Sequence, residues 1–380
     1  MELEPAVRRH GDDLPGWLRG LFVLGMLYLF LAGVGLLSEG IESLGSDVQE
    51  QLFSRVSSPI AGLFVGVLAT VLVQSSSVTT STIVGMVAAG LVGVDDAVPM
   101  VMGANIGTSV TNTLASVGSI RRPLEFERAV AAATVHDFFN LLAVAVMLPL
   151  ELMTGMLAAA AEWLSELLVG TGGGSFDSPL KAAVKAPVAA MTDLVESFGA
   201  GGTCLGVALI LIGIAGIFLA LTLITKNMKA LVADQLESQL NAALRRGSGT
   251  VAMVVGLVAT VAVQSSSITT SVLVPIAATG VISLRSLYPI TLGANIGTTA
   301  TALIASMATA EPAALTVAIV HTLFNFAGIL IFYVITPLRD LAPRLAEQLA
   351  ARARIDRRIL PLYVIGTFVV VPFVGVLVFG

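Results

Sequence analysis

Two polar octets interrupt otherwise apolar sequence. Gln74-Ser75-Ser76-Ser77-Val78-Thr79-Thr80-Ser81 returns as Gln264-Ser265-Ser266-Ser267-Ile268-Thr269-Thr270-Ser271. Gly103-Ala104-Asn105-Ile106-Gly107-Thr108 returns unchanged as Gly293 to Thr298, at the same offset of 190 residues. Serine hydroxyls and glutamine amides donate hydrogen bonds to anion oxygens. If each octet breaks a helix, the second half begins with free N–H groups and a positive dipole end, which together bind anions. Gln74, Ser75, Ser76 and Ser77, facing Gln264, Ser265, Ser266 and Ser267, are therefore expected to surround a tetrahedral oxyanion without a fixed positive charge. Such a site can release what it binds. Serines that only pack between helices are the plainer alternative, but two matching copies placed mid-run favour a ligand.

The second motif offers oxygen. Asn105 and Asn295 carry an amide donor for the anion and a carbonyl oxygen. Thr108 and Thr111, like Thr298 and Thr301, place hydroxyls three residues apart on one helix face. Hydroxyl, amide and main-chain oxygens suit a hard monovalent cation such as sodium. Gly103-xxx-Gly107 also fits a close helix contact, and the two uses coexist. His136 and Asp137 lie within an apolar segment, where ionisable groups flag function. The second copy has His321 but Thr322, so the acid is not duplicated. A satisfied contact between helices is the simpler account, with cation binding or proton coupling as alternatives. No Gly-x-Ser-x-Gly elbow, Walker-type phosphate loop or Cys/His zinc pattern is present, and two copies of one nucleophile make little sense for an enzyme. Enzymatic activity, a resident cofactor and a transition metal are not expected.

The chain around these motifs has 380 residues, 56% hydrophobic and 12% charged, with mean hydropathy +0.93. Soluble proteins carry about 25% charged residues. An all-α integral membrane protein is expected, with the lipid bilayer as its surroundings. A net charge of −5 without a basic patch argues against nucleic acid. The single cysteine, Cys204, excludes an internal disulfide and is expected to be inert.

Uncharged runs define the elements. Gly20–Ser38 is expected to cross. Val56–Val94 and Gly247–Leu284 run for 39 and 38 residues, nearly twice what about 30 Å of hydrocarbon requires at about 1.5 Å per residue. With a polar octet near the middle of each, both are expected to be re-entrant hairpins of two half-helices, tolerated only where buried or lining a wet cavity. Ala97–Ile120, Phe138–Leu150 (extended back through Ala129), Ser197–Thr225, Ser286–Ala310, Pro312–Leu338 and Ile359–Gly380 complete the set. Leu152–Val169, with Glu162 and Glu166, is expected to lie on the surface, followed by a loop from Gly170.

Lysine and arginine placement sets the orientation. Arg8, Arg9 and Arg19 put residues 1–19 in the cytoplasm. The acidic stretch Glu39 to Glu50 lies outside, and Arg121, Arg122, Lys226 to Arg246 and Arg339–Arg358 lie inside. The first hairpin then enters from outside and the second from inside. The boundaries follow: repeat 1 over 20–150 (hairpin about 56–94), an amphipathic helix and extracellular loop over 151–196, repeat 2 over 197–338 (hairpin about 247–284), a basic cytoplasmic segment over 339–358, and an extra helix over 359–380, available to an interface between copies. Val135-His136-Asp137-Phe138-Phe139-Asn140 echoes Val320-His321-Thr322-Leu323-Phe324-Asn325 at an offset of 185, so the duplication is nearly complete. Three crossings per unit make the copies inverted, the pattern of secondary transporters.

At these residues the chain resembles the type II sodium/phosphate cotransporter family. The paired QSSS motifs, Gly103–Asn112, Ala133–Asn140, Gly293–Thr301 and Val320–Asn325 carry the resemblance over roughly residues 20–336. It implies inward transport of inorganic phosphate driven by sodium at the cell (inner or plasma) membrane. Substrate contact is then implied at Gln74–Ser77 and Gln264–Ser267, and sodium near Gln264, Thr298 and Thr301; beside these, the residue reading expects Asn105 and Asn295 to join the phosphate site and Thr108, Thr111 and Ser265 the sodium site. The segment Gly170–Ser197 is short and lacks a cysteine pair, which implies a prokaryotic member. The alternatives are a sodium-coupled transporter of another oxyanion and an uncoupled anion channel.

Overall fold

A computed structural model of the chain describes residues 15–44, 58–108, 110–169, 179–246, 249–309 and 311–380. Every regular element among these residues is helical. Six helices are long and apolar enough to cross a membrane, so the chain is an all-α, multi-pass membrane protein. Much of the acidic stretch from Asp47, the loop Gly170–Ser178 and residues 1–14 lie outside the described residues.

Helix α1 (Gly16–Glu42) precedes the first over-long run, which does break. It forms α2 (Pro59–Val73) and α3 (Ser76–Ala88). Ser58 caps α2 by accepting from the Ala61 N–H at 3.2 Å, and Pro59 occupies the first helical position, where no N–H is needed. Next come α4 (Val94–Gly107), α5 (Val110–Ser116), α6 (Pro123–Thr154) and α7 (Met156–Val169). The second half follows with α8 (Pro179–Ser197), α9 (Thr203–Arg246), α10 (Gly249–Val263), α11 (Ser266–Ala278) and α12 (Leu284–Thr309). It ends with α13 (Pro312–Ile329), which continues through a π turn over Leu330–Val334, then α14 (Leu341–Ile355) and the span α15 (Ile359–Phe379).

Two expectations are corrected. The stretch Ala97–Ile120 is not one crossing helix. It ends as α4 at Gly107 and resumes as α5 at Val110, whereas its copy α12 runs unbroken for 26 residues. The local sequences differ in the direction expected. Asn112 stands where the second copy has Ala302, and asparagine side chains compete with helical backbone bonds while alanine does not. Residues Pro179–Ser197, expected within a loop, form the helix α8, which packs on α1. In element order α15 follows α14 as α8 follows α7, so the final helix also has a positional counterpart.

Glycine sets the tightest contacts, and sets them twice. A Cβ on Gly66 would fall onto the Met100 carbonyl, and one on Gly103 onto the Leu63 carbonyl. Gly256 meets Ile290, and Gly293 meets Met253, in the same way. The two pairs of the first copy thus recur as the two pairs of the second, at the offset of 190. Backbones of α2 and α4, and of α10 and α12, therefore touch directly, and each first half-helix is fixed to the helix carrying the Gly-Ala-Asn-Ile-Gly-Thr motif.

The short helices cross between the halves. α7 packs on α13, and α14 packs on α6 through the buried stripe Ala342, Ala346, Ala350 and Ala353. At about 21 Å, α7 is too short to cross alone. Gly155, at φ 62°, turns the chain between α6 and α7. The Glu151 carboxylate then caps α7, accepting from the N–H groups of Leu157 at 2.7 Å and Ala158 at 3.0 Å. Glu151→Ala leaves both donors unpaired in a buried place. We expect a loss of about 1–2 kcal/mol, read as a fall of a few degrees in the melting temperature of the purified protein.

Candidate functional site

Each octet makes the same turn. Gln74 and Gln264 cap the C-termini of α2 and α10 in the left-handed region, at φ 57° and 56°, and no other non-glycine described residue has a positive φ. Such a backbone is unfavourable for a residue with a Cβ and marks a site held by its surroundings. The chain then enters the next helix through an extended serine. Ser75 accepts from the Val78 N–H at 3.3 Å and Ser265 from the Ile268 N–H at 3.4 Å. These two hydroxyls are thus used as caps.

What remains unspent is donor capacity. The first N–H groups of α3 and α11, at Ser76–Ser77 and Ser266–Ser267, have no acceptor within their own helices. The Ser76 and Ser266 side chains are 5% and 2% exposed, and no hydrogen bond within the described residues engages their hydroxyls. Neither turn carries a charged side chain. Each arrangement suits an oxyanion through hydroxyls, N–H groups and the helix dipole.

The two turns are linked. The Thr301 hydroxyl on α12 donates to Gln264 Oε1 at 2.9 Å and lies 3.4 Å from Ser77 Oγ. One threonine thus touches a residue of each octet across 224 positions of sequence. Asn112 on α5 makes a second link. It donates to Thr270 Oγ1 at 2.8 Å and accepts from the Ser271 hydroxyl at 3.0 Å. α11 is therefore clasped by the first half of the chain.

Other expected ligands are placed elsewhere. The Thr108 and Thr298 hydroxyls return to carbonyls of their own helices, Ala104 at 3.1 Å and Ala294 at 3.2 Å. The Thr111 side chain lies outside the described residues. Asn105 and Asn295 are buried and make no hydrogen bond to either QSSS turn. Asn295 Oδ1 meets His136 Nε2 at 2.9 Å, and Asn105 Oδ1 meets His321 Nε2 at 3.3 Å. Asn140 and Asn325 join this network. Asp137 is fully buried on α6 and accepts from the Tyr363 hydroxyl of α15 at 3.3 Å.

Three participants carried no role in the sequence reading. Asn140 and Asn325 sit at matching places in the echo from Val135 and Val320, so the repetition was their signal. Asn112 is unique to the first copy, and nothing in its sequence context points to Thr270 and Ser271.

The Na+/Pi-cotransporter family model matches residues 29–173 and 217–337. These stretches follow the two copies. The sodium-dependent phosphate transport protein 2A of Rattus norvegicus is 34% identical over 432 residues, covering 94% of this chain and 67% of that protein. The 2A protein of Mus musculus is 35% identical, with coverage of 94% and 67%. The sodium-dependent phosphate transport protein 2B of Homo sapiens is 31% identical over 443 residues, covering 93% of this chain and 64% of that protein. No solved structure matches.

Proposed function

We propose, because the chain belongs to the Na+/Pi-cotransporter family, that it moves inorganic phosphate into the cell together with sodium by alternating access. The observation that carries this is the pair of left-handed glutamine turns opening onto uncharged donor ends, with Thr301 in contact with both. Phosphate is held between Ser76–Ser77 and Ser266–Ser267. Its oxygens accept from the first N–H groups of both helices and from the Ser76 and Ser266 hydroxyls, which engage no partner among the described residues.

Sodium supplies the charge that the turns omit. Gln264 Oε1, Thr301 Oγ1 and the nearby Ser265 offer neutral oxygens to a hard cation, and Thr298 adds a hydroxyl one turn earlier on α12. A cation bound there raises affinity for divalent phosphate through a short, poorly screened distance. Asn105 and Asn295 belong to a separate polar joint, because their oxygens meet the ring nitrogens of His321 and His136 and they bond to neither turn, whereas the Ser265 and Thr298 hydroxyl oxygens keep lone pairs for a cation. The hairpins α2–α3 and α10–α11 are re-entrant from opposite faces, and the amino end is cytoplasmic, as lysine and arginine placement supports. Rocking of one half against the other then changes the exposed side.

Uptake of labelled phosphate into proteoliposomes tests this reading. An inward sodium gradient drives saturable accumulation, and replacing sodium by potassium abolishes it. Accumulation that ignores sodium, or that sulfate competes away as well as phosphate does, contradicts it.

A further inference from the structure

Six residues before Thr301 on α12 lies a buried polar joint whose geometry is unequal in the two halves. Asn295 on α12 is held from both sides. Its Nδ2 donates to Asn140 Oδ1 on α6 at 2.9 Å and to Asn325 Oδ1 on α13 at 2.7 Å. With both amide hydrogens committed, Oδ1 must accept, so His136 donates through Nε2–H at 2.9 Å. All four side chains are at most 1% exposed. On the other side Asn105 donates to Val101 of its own helix at 3.1 Å and meets His321 at the longer 3.3 Å. Asn140 also donates to the Asn105 main-chain carbonyl at 2.8 Å, so α4 is tied to the joint by its backbone and a longer histidine contact, whereas α12 is keyed to both halves through the one amide of Asn295.

The keyed helix is the one that reaches the turns. Asn295 and Thr301 are six residues apart on α12, about 9 Å along one rigid rod. A slip or rotation of α12 at Asn295 moves the Thr301 hydroxyl away from Gln264 and Ser77. Such a joint is costly to disrupt, because removing one partner strands buried polar groups.

We propose that His136, Asn140 and Asn325 are positioning residues: by fixing Asn295 from both halves they set Thr301 in its place between the two turns, and so set the affinity for sodium. This rests on the assignment of sodium to Gln264 and Thr301. None of the three touches the ions, so their effect falls on sodium binding while the fold persists.

The test is sodium-dependent thermal stabilisation of the purified full-length protein, titrated with sodium chloride against choline chloride, with phosphate uptake measured in parallel. His136→Ala is expected to raise the half-saturating sodium concentration about fivefold to tenfold. His136→Gln, whose Nε2 offers a donor at a similar reach, is expected to stay within about twofold of the parent. Asn325→Ala removes one of two acceptors and serves as the milder variant, with an expected rise of about twofold to threefold. Glu151→Ala, which loosens α7 away from the site, lowers the melting temperature without moving the sodium constant. An unchanged sodium constant in His136→Ala, or in Asn325→Ala if the first does not fold, overturns the inference. So does a His136→Gln protein as impaired as His136→Ala. If the parent binds sodium but accumulates no phosphate, the transport reading fails and the inference is still judged on the binding curves.

Discussion

Replacing Ser76 and Ser266 together by alanine is expected to lower sodium-dependent phosphate uptake by about a hundredfold at subsaturating phosphate, with normal amounts of protein in the membrane. Both hydroxyls sit at the first position of a half-helix and engage no partner among the described residues. Their removal therefore strands nothing, and alanine is the better helix former. What is lost is a bond to a charged acceptor, worth about 1.5–3 kcal/mol each, or roughly tenfold or more in affinity per serine. Each single variant is expected to lose about tenfold, because the two hydroxyls act on one phosphate from opposite sides. The readout is the initial rate against phosphate concentration at saturating sodium. Uptake in the double variant that matches the parent would remove both serines from the site.

The second large effect concerns assembly. Gly293→Ala places a methyl group against the Met253 carbonyl, where the neighbouring atom is backbone and has little room to move. α10 and α12 must separate, which disturbs Gln264 at the end of one and Thr301 on the other. Overpacking of this kind costs about 1–3 kcal/mol, and more when backbone is displaced. The protein is expected to lose its monodisperse peak on size-exclusion chromatography, or to melt several degrees lower. Gly20→Ala is the contrast, since nothing lies within 4 Å of a Cβ there, and it is expected to behave as the parent. Equal behaviour of the two variants would count against direct backbone contact as the basis of the α10–α12 pair.

Particular residues show what was legible in the sequence. The breaks at Gln74 and Gln264 followed from length alone, because 38 or 39 apolar residues do not fit one crossing. The expectation that the two octets form one site rested on their entry from opposite faces, and Thr301, in contact with Ser77 and Gln264, supports it. The fates of Asn105 and Asn295 were not legible. A buried amide between glycines serves a ligand or a neighbouring helix equally well, and only the position of His136 and His321 decides between them. The break after Gly107 was overlooked for a different reason: the uncharged run to Ile120 continues past it, and its one local signal is Asn112 in place of Ala302. Helix α8 was hidden by composition, since Lys181, Lys185 and Pro187 resemble a loop until α1 provides a face to pack on.

The claim on which the rest depends is that the two turns are halves of one site. Equilibrium binding of phosphate to the purified protein in saturating sodium, counted per chain, tests it most directly. One phosphate per chain is expected, with affinity weakened about tenfold by Ser76→Ala and by Ser266→Ala alike. Two phosphates per chain, or one whose affinity responds to only one of the two serines, would contradict a shared site.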